Sequence, residues 1–169
     1  MVDNTHQTKS NEWFTPKEYI DLSRKLMVEI DLDPASNNLA NEIVQATQYF
    51  DKKMDGLNRE WNGRVFLNPP YGRLGGRSGA GVWINKLISE FQAGNVTEAI
   101  VLVNSATGDQ WFQPLFDFPI CFVNRRIKFY QSSGNKIQPT KSNVFVYFGP
   151  NVRKFKRVFK ETGRIYLPK

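Results

Sequence analysis

The sequence predicts an α/β fold with a mostly parallel central sheet flanked by helices, and three observations carry that expectation. Short apolar runs alternate with stretches of helical period along most of the chain. Two of the runs, residues 28–32 and Val65-Phe66-Leu67, stop at Asp33-Pro34 and Asn68-Pro69-Pro70, where proline cannot continue a strand ladder. A third run, residues 144–148, is halted by Gly149-Pro150. With right-handed crossovers, the first two strands deliver Asp33 and Asn68 to one edge of the sheet, the edge where open α/β sheets bind ligands.

Taken in order, residues 1–12 form a polar N-terminal tail, and 13–169 are long enough for one domain with a real core. Thr15 as N-cap and Pro16 at the first helical position predict a helix over Lys17–Met27, with Tyr19, Ile20, Leu22 and Leu26 as its apolar stripe. Residues 28–32 alternate like a strand. A short helix over 39–46 and a strand over 47–50 follow, and then Asp55-Gly56-Leu57 and Trp61 precede the strand of residues 65–67. Residues 72–81, GRLGGRSGAG, hold five glycines in ten positions and read as a mobile loop. A helix over 82–93, a strand over 99–103, a helical stretch over 109–116 and a strand at 120–123 lead to the strong strand of 144–148.

Composition narrows the classes. The chain is 40% hydrophobic and 14% aromatic, which suits a globular protein. No apolar stretch reaches the length of a membrane span, and the polar start is no signal peptide, so a cytoplasmic location is expected. Cys121 is the single cysteine and His6 the single histidine, so no Cys/His metal site is expected. Charge is divided unevenly. Residues 1–124 hold 11 Lys/Arg against 15 Asp/Glu, a net −4, whereas residues 125–169 hold 12 against the lone Glu161, a net +11. Such a division marks a footprint for a polyanion. Arg125, Arg126 and Lys128, interleaved with Phe129 and Tyr130, have the mixture that grips phosphates and stacks on bases, and Lys141 extends it.

The most chemically specific segment is Asn68-Pro69-Pro70-Tyr71. The prolines fix the backbone and lack N–H groups, which leaves their carbonyls to accept from something else. Asn68 adds a side-chain carbonyl, and Tyr71 a flat ring that stacks on planar groups. Together they suit a planar molecule carrying an exocyclic amine. Asn-Pro and Pro-Pro also punctuate ordinary turns, and the tetrapeptide alone leaves that reading open.

Asn68–Tyr71 fit the (Asp/Asn/Ser)-Pro-Pro-(Tyr/Phe/Trp) motif of S-adenosylmethionine-dependent amino-methyltransferases. Trp13-Phe14-Thr15-Pro16, Leu32-Asp33-Pro34-Ala35-Ser36 and Phe66–Tyr71, in this order, resemble the compact Dam-type DNA N6-adenine methyltransferases, many of them encoded by phages and prophages. The stretches 103–111 and 124–129 fit the same pattern, so the resemblance runs from Trp13 to Phe148. It implies a Rossmann-like methyltransferase fold, S-adenosylmethionine as donor and adenine in duplex DNA as acceptor. It also implies that Trp13, Phe14, Thr15 and Pro16 help hold the methionine end of the cofactor, where a hydrophobic staple and helix cap is the rival reading. Asp33, Pro34 and Ala35 match the cofactor motif after the first strand, although no Gly-x-Gly follows it, and helix capping is again the rival. Asp55 resembles the acid that accepts from the cofactor's adenine amine, with Asp51 competing for the role. Asn104, Ser105 and Thr107 close a strand that could line the same rim.

The chemistry implied is direct transfer to a positioned amine, with Asn68, Pro69, Pro70 and Tyr71 as the catalytic set, Asn68 also reaching the cofactor, and no metal. The base must leave the duplex to reach such a slot. Cytosine C5 chemistry needs an accessible thiolate, and Cys121 lies within an apolar run where a buried thiol is expected. Cytosine N4, RNA adenine or protein glutamine remain rival acceptors, the last disfavoured by the basic C-terminal segment. A nucleic-acid-binding module without catalysis is a rival of another class. A small target-recognition region is expected near residues 72–81, with Arg73 and Arg77, and near 125–141. No recognition sequence is legible there, GATC entering only by analogy, and oligomeric state is not encoded in these motifs.

Overall fold

A computed structural model describes residues 13–131, 136–137 and 140–169; the polar tail 1–12 expected from sequence lies outside the described residues, as does part of the 125–141 region. Strands β1 (Trp13–Phe14), β2 (Leu32–Asp33), β3 (Gln48–Tyr49), β4 (Gly63–Leu67), β5 (Arg73–Leu74), β6 (Arg77–Ser78), β7 (Val96–Asn104), β8 (Ile120–Val123), β9 (Phe129–Gln131), β10 (Lys136–Ile137), β11 (Asn143–Phe148) and β12 (Gly163–Tyr166) alternate with helices α1 (Lys17–Met27), α2 (Asn38–Val44), α3 (Gly79–Gln92) and α4 (Val152–Phe159). Two 3-10 segments, Gly56–Asn58 and Gln110–Asp117, complete the fold.

Seven strands form the main sheet in the order β12-β8-β11-β7-β4-β2-β3. Five of the seven strands, β3, β2, β4, β7 and β8, run in one direction, and β11 and β12 run against them. The pairs β2–β3, β2–β4 and β4–β7 are parallel, while β7–β11, β11–β8 and β8–β12 are antiparallel. The physical reason lies in the connections. A parallel pair needs a long crossover, usually helical. Between β8 and β11 the described chain offers only β9 and β10, so β11 returns antiparallel and slots between β8 and β7. Direction of this kind is invisible in an apolar run.

Both faces of the sheet are covered, which is why β4 and β7 read as near-continuous apolar runs. Phe66, Ile100, Leu102, Phe145 and Tyr147 point to the side of α1 and α4, where Ile20, Leu26, Met27, Phe155 and Phe159 pack. Val65, Leu67, Val101, Val103 and Val146 point to the side of α3 and the second 3-10 segment, against Trp83, Ile84, Leu87, Phe112 and Leu115. Alternate residues thus serve opposite layers with the period of two that a strand imposes.

Local departures from the sequence reading have local causes. The strand expected over 28–32 shrinks to Leu32–Asp33, because Val28 caps α1 at φ 74° and Asp31 turns aside to Arg64. The Asp31 carboxylate accepts from Arg64 N (2.7 Å) and Nε (2.8 Å), and the guanidinium holds its carboxyl below the usual range. The supposed mobile loop 72–81 is a two-stranded ribbon, β5 paired to β6, followed directly by the first turn of α3. Gly75 and Gly76 both have positive φ (54° and 78°), the geometry of a two-residue hairpin turn, and Ser78 Oγ caps the helix by accepting from Gly81 N (3.3 Å). Glycine richness here encodes a tight turn. Unanticipated from sequence are α4, β12 and a small separate sheet, β1-β9-β10.

Candidate active site at the carboxyl ends of the parallel strands

From β2 the chain passes to β3 on one side and then to β4 on the other, so the order reverses between β2 and β4. Such a reversal opens a crevice beyond the carboxyl ends of the two strands. Asp33 ends β2 and Asn68 follows the last residue of β4, so the two lie at this crevice. β11 and β12, which run the other way, bring their first residues to the same edge, since Asn143 pairs with Asn104 and Gly163 with Val123, while β8 ends there at Val123.

Thr15 is not a helix cap. Pro16 occupies the N-cap position of α1 without a side-chain cap bond, and the buried Thr15 Oγ1 instead accepts from Asn68 Nδ2 (3.2 Å). This bond joins the two segments 13–16 and 68–71. It also commits the amide nitrogen of Asn68, so the carbonyl Oδ1 is the end left to receive a donor. Phe14, next to Thr15, is buried, while Trp13 is exposed. Pro69 is buried and Pro70 exposed. The Tyr71 side chain is 49% exposed, yet its hydroxyl is sunk at the end of β7, where it accepts from Asn104 N (2.7 Å). Burial of that oxygen pushes the phenol well above its ordinary value, so it stays protonated. The tie fixes the ring while leaving its face open.

Asp33 is 4% exposed. Its carboxyl accepts from Ala35 N (3.3 Å), and the α2 cap is supplied by Asn37, whose Oδ1 accepts from Ala40 N (2.9 Å). Helix capping therefore does not explain Asp33. Burial pushes its carboxyl up to about 7, offset in part by Ser36 and by the Ala35 N–H. Ser36 Oγ lies close enough to favour the carboxylate but forms no hydrogen bond of full geometry, and it is buried without a partner. An under-satisfied acid beside an orphaned hydroxyl is costly unless a group carrying donors meets it.

The two candidates for the adenine-amine contact are engaged differently. The Asp51 carboxylate accepts from Lys53 N and Met54 N (2.9 Å each), closing its own turn. Asp55, at φ 53°, accepts from the Asn58 side chain (2.6 Å) and is exposed. Its neighbour Gly56 touches the Asp33 turn, for a Cβ there would meet the Pro34 carbonyl oxygen at 2.0 Å. That close approach, which only glycine permits, sets Asp55 beside Pro34 and Ala35.

The basic residues divide into two groups. Arg125, Arg126 and Lys128 are exposed just beyond β8, on the same edge as Asn68, while Ile127 and Phe129 between them are buried. Phe129 thus serves the core and is not free to stack on a base. Arg126 donates to the Thr140 carbonyl, which braces the segment leading to the exposed Lys141. Arg73 and Arg77 are exposed on the β5–β6 ribbon, but Arg73 pairs with Ser78 and Arg77 with Leu74. Directly paired residues share a face. The two arginines therefore project from opposite faces.

The family model for DNA N-6-adenine-methyltransferase (Dam) matches residues 3–163 of the 169. The chain belongs to this family. A comparison with curated proteins finds no matching relative. Membership makes DNA the substrate class at family level, and among the described residues no cluster of three or more metal-ligating side chains occurs and no helix is long and apolar enough to cross a membrane. Cys121 is fully buried and its thiol is pushed up to about 12, which places it outside any thiolate chemistry.

Sequence reasoning missed Asn143. Buried at the start of β11, it donates through Nδ2 to Asn104 Oδ1 (3.2 Å), while its own Oδ1 is buried without a partner. Asn104 in turn holds the Tyr71 hydroxyl. The chain Asn143–Asn104–Tyr71 ties the antiparallel half of the sheet to the proline loop. No local pattern announces it, because it depends on the β7–β11 register.

Proposed function

We propose that this Dam-family chain transfers a methyl group from S-adenosylmethionine to the exocyclic N6 of adenine at selected sites in duplex DNA, within one domain carrying a small recognition region. The observation that supports the reading is the Asn68–Thr15 hydrogen bond, which commits the Asn68 amide nitrogen and leaves its carbonyl to receive a donor at the strand end, beside the half-exposed Tyr71.

The residues fit the cofactor. A buried Asp33 pushed up to about 7, with the orphaned Ser36 hydroxyl next to it, matches a ligand bearing an ammonium, which would restore the carboxylate. Trp13, Phe14, Thr15 and Pro16 border the same crevice and would pack the methionine end, while Pro34, Ala35 and Asp55 would hold the adenosine end. Between the two rival acids, Asp55 is favoured because Asp51 spends its carboxylate on its own turn. When bound, S-adenosylmethionine supplies an electrophilic methyl on a sulfonium.

Everything else falls to the protein's own groups. Asn68 Oδ1 and the Pro69 carbonyl would accept the two N–H bonds of the adenine amine, drawing its lone pair out of conjugation and aiming it away from both acceptors. Tyr71, pinned through Asn104, would stack on the extruded base. Pro70 keeps the loop rigid, so these acceptors need no reorganisation during transfer. The surplus proton passes from the product amine to solvent water after transfer, so no imidazole base is needed. Exposed Arg125, Arg126, Lys128 and Lys141 would engage phosphates, and Arg73 and Arg77 the groove or the vacated stack.

The test is incubation of purified protein with S-adenosylmethionine and separate duplex DNA, RNA and protein pools, followed by mass spectrometry of the digests. N6-methyladenine from DNA is the expected product. N4-methylcytosine, or methylation confined to RNA, would overturn the acceptor assignment.

A further inference from the structure

Helix α4 carries a feature that neither its fold nor the proposed transfer uses. Arg153, Lys156, Arg157 and Lys160 are all exposed and spaced i, i+3, i+4, i+7, which places them on one stripe. The opposite face, Phe155, Val158 and Phe159, is buried in the core against the sheet. Among the described residues the stripe's one ion pair is Lys160 with Glu161 (3.6 Å), and both partners are exposed. The pairs Arg153/Arg157 and Lys156/Lys160 are like charges at i, i+4, a spacing that destabilises a helix. Cations in the last turn complement the helix dipole, but that effect does not require four of them or place Arg153 in the first turn. Within the described residues the stripe's gains are the dipole complement of the last turn and one exposed ion pair, set against two like-charge pairs.

Its position supplies a further gain. β11 ends at the edge opposite the crevice, and α4 runs back from there toward the crevice edge, where β12 begins opposite Val123. Phe159 O accepts from Thr162 N (2.9 Å), and Thr162 O accepts from Asn124 N (3.0 Å), one residue before Arg125-Arg126. The carboxyl end of the stripe is thus two backbone hydrogen bonds away from Asn124, the residue before the cations beside the candidate site. It spans about 10 Å of helix, and a duplex presents one charge per about 1.7 Å of its axis. A lipid surface would need an exposed apolar face beside the cations, and that face is already spent in the core.

We propose that the α4 stripe, Arg153, Lys156, Arg157 and Lys160, grips backbone phosphates of the same duplex in the flank beyond the target site, lengthening the footprint without reading bases. The inference rests on the DNA-modifying reading above. A flank grip adds affinity and salt dependence on long duplexes and leaves the bond-making step untouched.

The test compares wild type with Arg153→Gln/Lys156→Gln/Arg157→Gln/Lys160→Gln, using duplexes of one and three helical turns over a salt series. Removing like-charge neighbours relieves repulsion, so the variant should fold. A charge-keeping control, Arg153→Lys/Arg157→Lys, guards against a structural effect. The glutamine variant should lose tenfold or more in affinity for the longer duplex at low salt. Its log–log salt slope should flatten by about 0.9 for each phosphate that the stripe no longer neutralises. Binding to the one-turn duplex and turnover at saturating DNA should stay at wild-type levels, as should the lysine control throughout. An unchanged slope on the long duplex would overturn the inference while leaving methyl transfer, scored in the same samples, intact. Weakened binding in the lysine control, or wild-type attachment to phosphatidylserine vesicles with no stripe-dependent duplex binding, would also overturn it. Stripe-dependent duplex binding without any N6-methyladenine would instead remove the transfer reading and leave the stripe as a DNA grip.

Discussion

The two halves of the sheet carry different kinds of polar chemistry. On the parallel side, β3-β2-β4-β7, the polar groups that matter are few and withdrawn from solvent: Asp33, Thr15 and the half-buried Asn68 amide, each held by one or two hydrogen bonds. On the antiparallel side, β11-β8-β12 with α4, they are exposed and numerous, and within residues 125–169 one acid faces twelve cations. Buried dipoles act strongly over short distances on one oriented group, whereas exposed cations act weakly, additively and subject to salt. The first arrangement suits bond-making and the second suits holding a polyanion. Perturbing the first should change turnover or cofactor affinity, and perturbing the second should change the salt dependence of DNA binding.

The largest expected effect is at Asn68. Asn68→Ala should lower kcat by roughly 10²–10³, the drop seen when one preorganised polar group is removed from a transfer site. Circular dichroism should show the fold intact, and the salt slope of DNA binding should not move. A turnover near wild type in a folded variant would remove Asn68 from the chemistry.

Asp33 comes next. Asp33→Ala should weaken S-adenosylmethionine by about ten- to a hundredfold in calorimetry, the worth of one charge-assisted hydrogen bond. The carboxyl also sets a pH dependence. Because the folded protein holds this proton more tightly than the unfolded chain, its stabilising contribution is full below the ordinary value of 3.8 and is lost as pH rises through about 7. Thermal unfolding of the free protein should fall across that window, and Asp33→Asn should abolish this component. Cofactor binding should in turn weaken as pH drops below 7, since the bound state needs the carboxylate. An identical pH profile in Asp33→Asn would detach the residue from both effects.

Smaller effects separate the roles within the loop. Tyr71→Phe keeps the ring but leaves Asn104 N without its acceptor, a cost of about 1–3 kcal/mol in stability if no water replaces it. Tyr71→Ala also removes base stacking, worth about 1–3 kcal/mol, and should raise KM for DNA further. Arg73→Ala and Arg77→Ala should differ from one another, because the ribbon sends them to opposite faces. Methylation across a randomised-site library measures this, and equal shifts in both variants would remove the ribbon's facing from the account of recognition.

Legibility in the sequence follows the same division. The strand-end motifs are readable because proline stops a strand visibly, while the turn and capping uses that Asn and Asp also have are separated only by their contacts. The residues they meet are not readable. Thr15 reads as a cap until its hydroxyl is seen accepting from Asn68, and the Asn143–Asn104–Tyr71 chain exists only through the β7–β11 register. The basic half is legible as charge but not as structure. Phe129 reads as a stacking residue by composition and is a core residue by burial, and the glycine-rich 72–81 stretch reads as slack when two positive-φ residues make it a turn. Composition reports what a segment carries, while its direction and facing come from pairing.

The most direct test of this division measures two quantities in two variants. For Asn68→Ala and for Arg125→Gln/Arg126→Gln, kcat at saturating duplex and the log–log salt slope of duplex binding are determined on the same preparations. The account predicts that Asn68→Ala lowers kcat by roughly 10²–10³ with the slope unchanged, and that the arginine variant flattens the slope by about 0.9 per phosphate released with kcat unchanged. If each variant moved both quantities together, the separation of transfer from grip across the two halves of the sheet would be contradicted.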